Sequence, residues 1–386
     1  MKYTFNKVEY DETQITTPFL TTMKEAGVIP RNGGMNFEID GQLHRFAVEE
    51  DKGGELSGAY LLYDGGIIPS GYFQDWRRQI KETWRYDTKQ LTDEQRQQLR
   101  EVTADPQTRA RMEAEQTAKR QEAQRQKENE QQQVIEKALN LYKSTPVVNP
   151  DDTPYLTAKN RHIYKLLEFQ PTKLQPHEHN GELLIPLYSV IDGGFQSLQR
   201  MFVDENEQPQ KRFFKGCPTT GIIYPFHPVK AYYGEDGGQN LPELVTNKIY
   251  ENVVLLSEGI FTGVALWEVL NFSFPVVCCL SCENLYKVAW TIRKRTPARK
   301  IIVMADNDIK TERKEGYNPG IQKAKEIVNR GLTCGFIAPE FSELTDGKEA
   351  SDWEDFFNNR RQDFFTFEKR REELRTNILN LTKERN

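Results

Sequence analysis

With 386 residues the chain can bury more than one core, and a charged share of 28% leaves part of it too polar for a single compact globule. Its formal net charge of −5 excludes bulk attraction to nucleic acid, so any such surface has to be local; Lys and Arg cluster at 159–165, 211–215 and 293–300. No apolar run approaches the ~20 residues that cross a bilayer, and MKYTFNKVEYDETQ lacks the apolar stretch of a secretory leader, so a cytoplasmic protein with no membrane segment is expected.

Residues 1–88 read as a small β-rich module. FEID, LHRFAVE, GAYLLYD and KETWRYD are short, alternating and bounded by Gly-Gly and Asp-Gly pairs, as in an antiparallel sheet. Phe46, Tyr60, Phe73 and Trp84 would fill its core. Arg45 beside Phe46 and Arg77 beside Trp76 also fit a surface that stacks bases and holds phosphates. Residues 89–145 read as a charged helical linker. Asp105-Pro106 supplies a cap and a first-turn proline, and the run to about Tyr142 has almost no large apolar residues before Val134. Without a heptad seam it is a solvated spacer rather than a coiled coil, and only its last turns can dock.

Residues 146–250 read as an α+β subdomain, with GELLIPLYSVI and FQSLQRMFV hinged at Asp192-Gly193-Gly194. His177 and His179 have no third ligand nearby and are expected as loop residues. In residues 251–360 the apolar runs VVLLS, FPVVCCL and KIIVMAD alternate with helical stretches at 262–270, 284–295 and 319–330, and TCGFIA follows. That alternation predicts a parallel α/β sheet. Residues 361–386 form a charged helical tail. The cysteines are odd in number (Cys217, Cys278, Cys279, Cys282, Cys334), which argues against a disulfide framework; Cys279-x-x-Cys282 lies in an apolar run and reads as core packing.

Parallel sheets gather functional groups at the carboxyl ends of their strands. Two strands here end in acids, VVLLSEG at Glu258 and IIVMADND at Asp306 and Asp308, the last two sharing a direction if the strand persists. Carboxylates converging there repel one another unless a cation neutralises them, and all-oxygen ligands favour Mg2+ or Mn2+.

The run from SEGIFTGVALWEVLNF to KIIVMADND, with NPGIQKAK and DGKEASDWEDFF, resembles the TOPRIM domain of bacterial-type primases, topoisomerases and related nucleases, and most nearly the primases of phages and plasmids. LHRFAVE with GAYLLYDGGIIPSGYFQDW, and GELLIPLYSVIDGGFQSLQRMFVDE with QKRFFKG, resemble the modules that precede TOPRIM in those proteins. The fold implied is an α/β TOPRIM domain (Rossmann-like parallel sheet), preceded by an α+β primase-type subdomain, a long charged helix and a small mainly-β N-terminal domain.

The resemblance implies a DNA primase, joining nucleoside triphosphates into short primers on a single-stranded DNA template. It assigns Glu258, Asp306 and Asp308 to catalysis, metal to Asp306, Asp308, Asp352 and Asp355, and nucleic acid to Lys159, Lys211, Arg212 and Lys215. The phage-type phosphate loop Gly-x-x-x-x-Gly-Lys-Ser/Thr is missing, so a separate helicase partner is expected. So is the zinc-ligand set of bacterial primases, so either the N-terminal aromatic module reads the template or initiation differs. A TOPRIM nuclease using the same acids, and a non-catalytic single-stranded-DNA-binding protein, are the competing readings.

Overall fold

Asp11 opens the first helix, Glu12–Glu25: its carboxylate accepts the Thr13 N–H while the Gln14 side chain accepts the Asp11 N–H. This helix belongs to the first of two compact units, Met1–Lys127 and Glu128–Asn386. The computed structural model describes residues 8, 10–64, 68–78, 80–104, 106–159, 161, 163–226, 253–272, 274–296, 300–341, 351–357 and 364–383.

In the first unit four antiparallel strands, β1 (His44–Phe46), β2 (Gly58–Tyr63), β3 (Ser70–Asp75) and β4 (Ile80–Arg85), pair in chain order. The helix buries Ile15, Phe19 and Met23 against Tyr60, Leu62, Phe73 and Trp84 on one sheet face. A mainly-β module did not anticipate it. Pro18 lies inside the helix, and its threonines return hydroxyl bonds to backbone carbonyls one turn back, features that read as non-helical.

The charged helix runs Pro106–Ser144, 39 residues or ~58 Å. Its C-terminal end is anchored, where Ile135, Ala138 and Tyr142 bury against Leu184, Leu198 and Cys217.

The second unit is built on one sheet of nine described strands: β5 (His177–His179), β6 (Glu182–Ser189), β7 (Phe195–Val203), β8 (Pro209–Phe213), β9 (Ile222–Phe226), β10 (Val253–Ser257), β11 (Val276–Cys278), β12 (Lys300–Met304) and β13 (Gly335–Ile337). Their order is β13-β12-β10-β11-β9-β6-β7-β8, with β5 beside β6. The first four are parallel, and β9 turns the sheet antiparallel by pairing with β11. Both faces are covered. Leu255, Ile302 and Met304 pack with the Ile260–Val269 helix and with Leu374 and Ile378 of the Phe364–Lys383 helix. Val254, Leu256, Ile301 and Val303 pack on the opposite face with the Cys282–Arg295 and Pro319–Asn329 helices. Alternation buried on both sides is why these strands read as unbroken apolar runs.

His177 is no loop residue. It opens β5, is buried, stacks on Tyr142 at 4.0 Å between ring centroids, and bonds the Tyr142 carbonyl through Nδ1 at 2.8 Å. Cys278 and Cys279 are buried, Cys282 half-buried, and all five cysteines are free. Among the described residues no helix is long and apolar enough to cross a membrane.

Candidate active site

The chain leaves β10 to build β11 on one side and returns to build β12 on the other, so β10 lies at a topological switch point. The crevice beyond the carboxyl end of such a strand is where α/β sheets bind ligands. Register aligns the two acid-bearing ends: Ser257 sits opposite Met304, so Glu258 and Asp306 leave neighbouring strands almost level.

Gly259, extended at φ −91°, caps the Ile260–Val269 helix, and Glu258 turns into the sheet end. Its carboxylate accepts the Cys282 backbone N–H at the start of the next helix. The Pro319–Asn329 helix abuts it too. A Cβ on Gly320 would fall 3.0 Å from Glu258 Oε1 and 2.6 Å from the Asp306 carbonyl oxygen, so only glycine fits. Asn318 caps that helix through Ile321 N–H and also donates to Asn307 Oδ1 at 2.9 Å. Asn307 in turn donates to the Pro339 carbonyl. Asn307, Asn318 and Gly320 therefore hold the acid-bearing loop in place. The Asn318-Pro319-Gly320 run was their signal in the sequence.

β12 ends at Met304, so Asp306 and Asp308 do not share a strand face. Asp306 turns inward and Asp308 caps the Ile309–Glu315 helix, without a side-chain bond to it. Burial pushes both Glu258 and Asp306 well above the usual carboxylate range; Asp308 adds repulsion at Glu258, while Glu258, Asp352 and Asp308 do so at Asp306. Burial also raises Asp308.

Asp352 caps the Trp353–Phe357 helix by accepting the Asp355 N–H at 2.8 Å, and Asp355 accepts the Ser351 N–H at 2.9 Å. Burial and Asp355 raise Asp352. Glu354, passed over in the sequence, is the buried member of this cluster, and burial carries it up to about 8 although Arg161 pulls the other way. Arg161 binds it at 2.6 Å and reaches Asp355 at 3.9 Å. Arg161 thus stands in the cluster, while Lys159, two residues earlier, is exposed. The segment 342–350, which holds DGKEA, lies outside the described residues.

Strand parity divides the basic run on β8. Lys211 pairs with Met201 and shares the face of the larger core; Arg212 pairs with Arg200 and faces the other way, its guanidinium 5.4 Å from the Phe202 ring centroid. Lys215, beyond the strand, is exposed. Although β8 is the sheet's far edge, Lys211 Nζ lies 5.9 Å from the Phe261 ring centroid and its charge pulls down Asp306, Asp352 and Glu354. Lys211 is therefore near enough to these acids to favour their charged forms.

The acids fit a hard divalent cation. Glu258 Oε1 and Asp306 Oδ1 are buried with no hydrogen-bond partner among the described residues, a costly state that a cation or a proton relieves. Their donor atoms and those of Asp308 do not all lie within 4.8 Å; among the described residues only Glu38, Asp40 and His44 are so grouped, in the first unit and partly exposed.

A family model described as the Toprim domain matches residues 253–363. These residues are a Toprim domain. Two curated proteins are similar over a longer stretch, both named DNA primase TraC and both from Escherichia coli. One is 27% identical over 330 residues, covering 84% of this chain and 26% of the relative. The other is 26% identical over 309 residues, covering 80% and 18%. The chain thus spans about a quarter or less of the length of the curated relatives it matches, and it resembles them upstream of residue 253 as well as beyond it. Among solved structures, a DnaG primase catalytic domain bound to single-stranded DNA aligns at 14% identity and a TM-score of 0.35, covering 64% of this chain and 82% of that one.

Proposed function

We propose that the chain is a DNA primase that makes short primers on a single-stranded DNA template by metal-dependent nucleotidyl transfer. The observation that carries this reading is the pair of buried, unpartnered carboxylate oxygens on Glu258 and Asp306 at the switch point of a Toprim domain. The similarity to proteins named DNA primase supports it.

Toprim domains generally bind divalent metals. Asp306 and Asp308, with Asp352 and Asp355, would hold Mg2+ or Mn2+, which would neutralise phosphate charge and acidify an attacking hydroxyl. Glu258, whose raised pKa suits proton transfer near neutral pH, takes the proton of that primer-end hydroxyl. Lys211 meets the triphosphate at the edge of the acids, and Arg161 holds Glu354 and Asp355 in position. Arg212, Lys215 and Lys159 guide the template backbone from outside the acidic cluster.

The test incubates the full chain with single-stranded DNA, labelled nucleoside triphosphates and Mg2+, and sizes the products. Wild type should make short oligonucleotides, and Glu258→Gln or Asp306→Asn should lower the rate by ~10²-fold or more without lowering the melting temperature. Degraded template without new product would make it a nuclease; DNA binding with neither product would make it non-catalytic.

A further inference from the structure

The strands of the first unit separate their charges by face. Asp75 and Glu82, the only carboxylates on those four strands, share parity with Phe73 and lie on the face that the Glu12–Glu25 helix packs against. The opposite parity carries Arg45, Lys81 and Arg85, all exposed, and no carboxylate. Arg45 and Lys81 end one cross-strand row, which runs through Ala59 and Gln74. At a strand spacing of about 4.8 Å their backbone positions lie roughly 14 Å apart across the sheet.

Three aromatic rings share this parity: Tyr63, half-buried in the row that ends at Arg85, and two that meet the cations directly. Tyr72 stands one row further along, half-buried, with Lys81 Nζ 5.8 Å from its ring centroid. Trp76, just beyond the end of β3, is 46% exposed, far more than a ring kept for packing. Arg45 lies 4.4 Å from its centroid and is fixed there by a 2.7 Å bond to the Leu56 carbonyl. One guanidinium N–H is thus spent on placement and the rest remain to meet an anion. In a chain of net charge −5, a sheet face with three cations, three aromatic rings and no carboxylate on its strands is a local exception.

We propose that this face of the N-terminal sheet binds single-stranded nucleic acid, with bases stacking on Tyr72 and Trp76 and phosphates meeting Arg45, Lys81 and Arg85. Stacking is tolerant of sequence because every base has a π-face, and a flat antiparallel sheet presents its rings side by side. Duplex DNA hides its base faces and would meet only the three cations. The site is distinct from the acidic cluster of the second unit and gives the chain a second hold on a strand.

The test uses the full chain carrying Glu258→Gln, so that no chemistry intervenes, and fluorescence anisotropy of a labelled oligothymidine of about 15 nucleotides. Tyr72→Ala/Trp76→Ala should weaken binding about tenfold or more, and Tyr72→Phe/Trp76→Phe should restore it, since a phenyl ring still stacks. Arg45→Ala/Lys81→Ala/Arg85→Ala should lower the slope of log affinity against log salt by about 2, from ~0.7 per lost phosphate contact. Photo-crosslinks from an iododeoxyuridine oligonucleotide should map to peptides holding Tyr72 or Trp76. Unchanged affinity and salt slope, crosslinks confined to residues 128–386, or equal affinity for polyglutamate would each overturn the proposal. Binding needs no catalysis, so a chain that makes no primers but passes these tests keeps this surface and loses only the primase reading.

Discussion

At Glu258 and Asp306 burial and mutual repulsion act in the same direction, and both favour the protonated carboxyl. Glu354 and Asp352 are raised as well, against the pull of Arg161 and Lys211. For a carboxyl whose folded pKa lies above its unfolded one, the folded state holds more protons between the two values, so stability falls as pH rises through that window. It is full below the ordinary carboxylate range and is lost as pH rises through the raised values, about 7 at Glu258, about 8 at Glu354 and about 9 at Asp306. The metal-free protein should therefore melt at a lower temperature at about pH 8 than at about pH 5.5. Excess Mg2+ should raise the melting point more at the higher pH, because a cation must displace the protons that the acids hold at the lower one. Asp306→Asn should flatten both trends. Scanning calorimetry at the two pH values decides it, and a Mg2+ effect that is equal at both would remove the carboxylate cluster as its origin.

Among the elements, one side chain reinforces the ladder that joins the antiparallel and parallel parts of the sheet. Asn284, buried in the first turn of the Cys282–Arg295 helix, accepts the Gly221 N–H at 2.7 Å and donates to the Ile222 and Cys279 carbonyls at 2.7 and 2.8 Å. It ties β9 to the end of β11. Asn284→Ala would leave buried backbone groups unpaired and should cost about 2–4 kcal/mol, seen as a lower urea midpoint at constant m. A loss below ~0.5 kcal/mol would mean that the backbone re-pairs by itself. The helix and strands around this join were legible because VVLLS and KIIVM are apolar on both faces and Ser281 caps the helix. The Glu12–Glu25 helix was not, since Pro18 and its threonines outweigh the capping box in any local reading. Nor was the approach of Lys211 to Asp306, which depends on how the sheet brings its far edge back over the Ile260–Val269 helix, a long-range property with no local signal. The acids themselves were legible because strand ends in a parallel sheet are marked by where the apolar run stops. Of their supports, Asn318 and Gly320 showed only through the family resemblance of NPGIQKAK, and Asn307 gave no signal of its own.

At the scale of the whole molecule, the two units each own a core, one around Phe19, Tyr60 and Phe73 and the other on the two faces of the large sheet. The chain between them is helical, yet from Gln121 to Gln133 nearly every side chain is exposed and the first apolar anchors are Val134 and Ile135. A helix stretch without tertiary burial has only its intrinsic propensity to hold it, which is marginal in water, so it should open locally far more often than either core. Trypsin has targets throughout it, at Arg109, Arg111, Lys119, Arg120, Arg125 and Lys127. Limited digestion should therefore cut first between Arg109 and Lys127 and leave two persistent fragments, the larger one keeping Ile135, Ala138 and Tyr142 docked on β6 and β7. Mass spectrometry of the earliest products identifies the site. First cuts within residues 12–86 or 253–341 would show that one of these cores opens more readily than the charged helix, and the division into two self-sufficient units would fall with it.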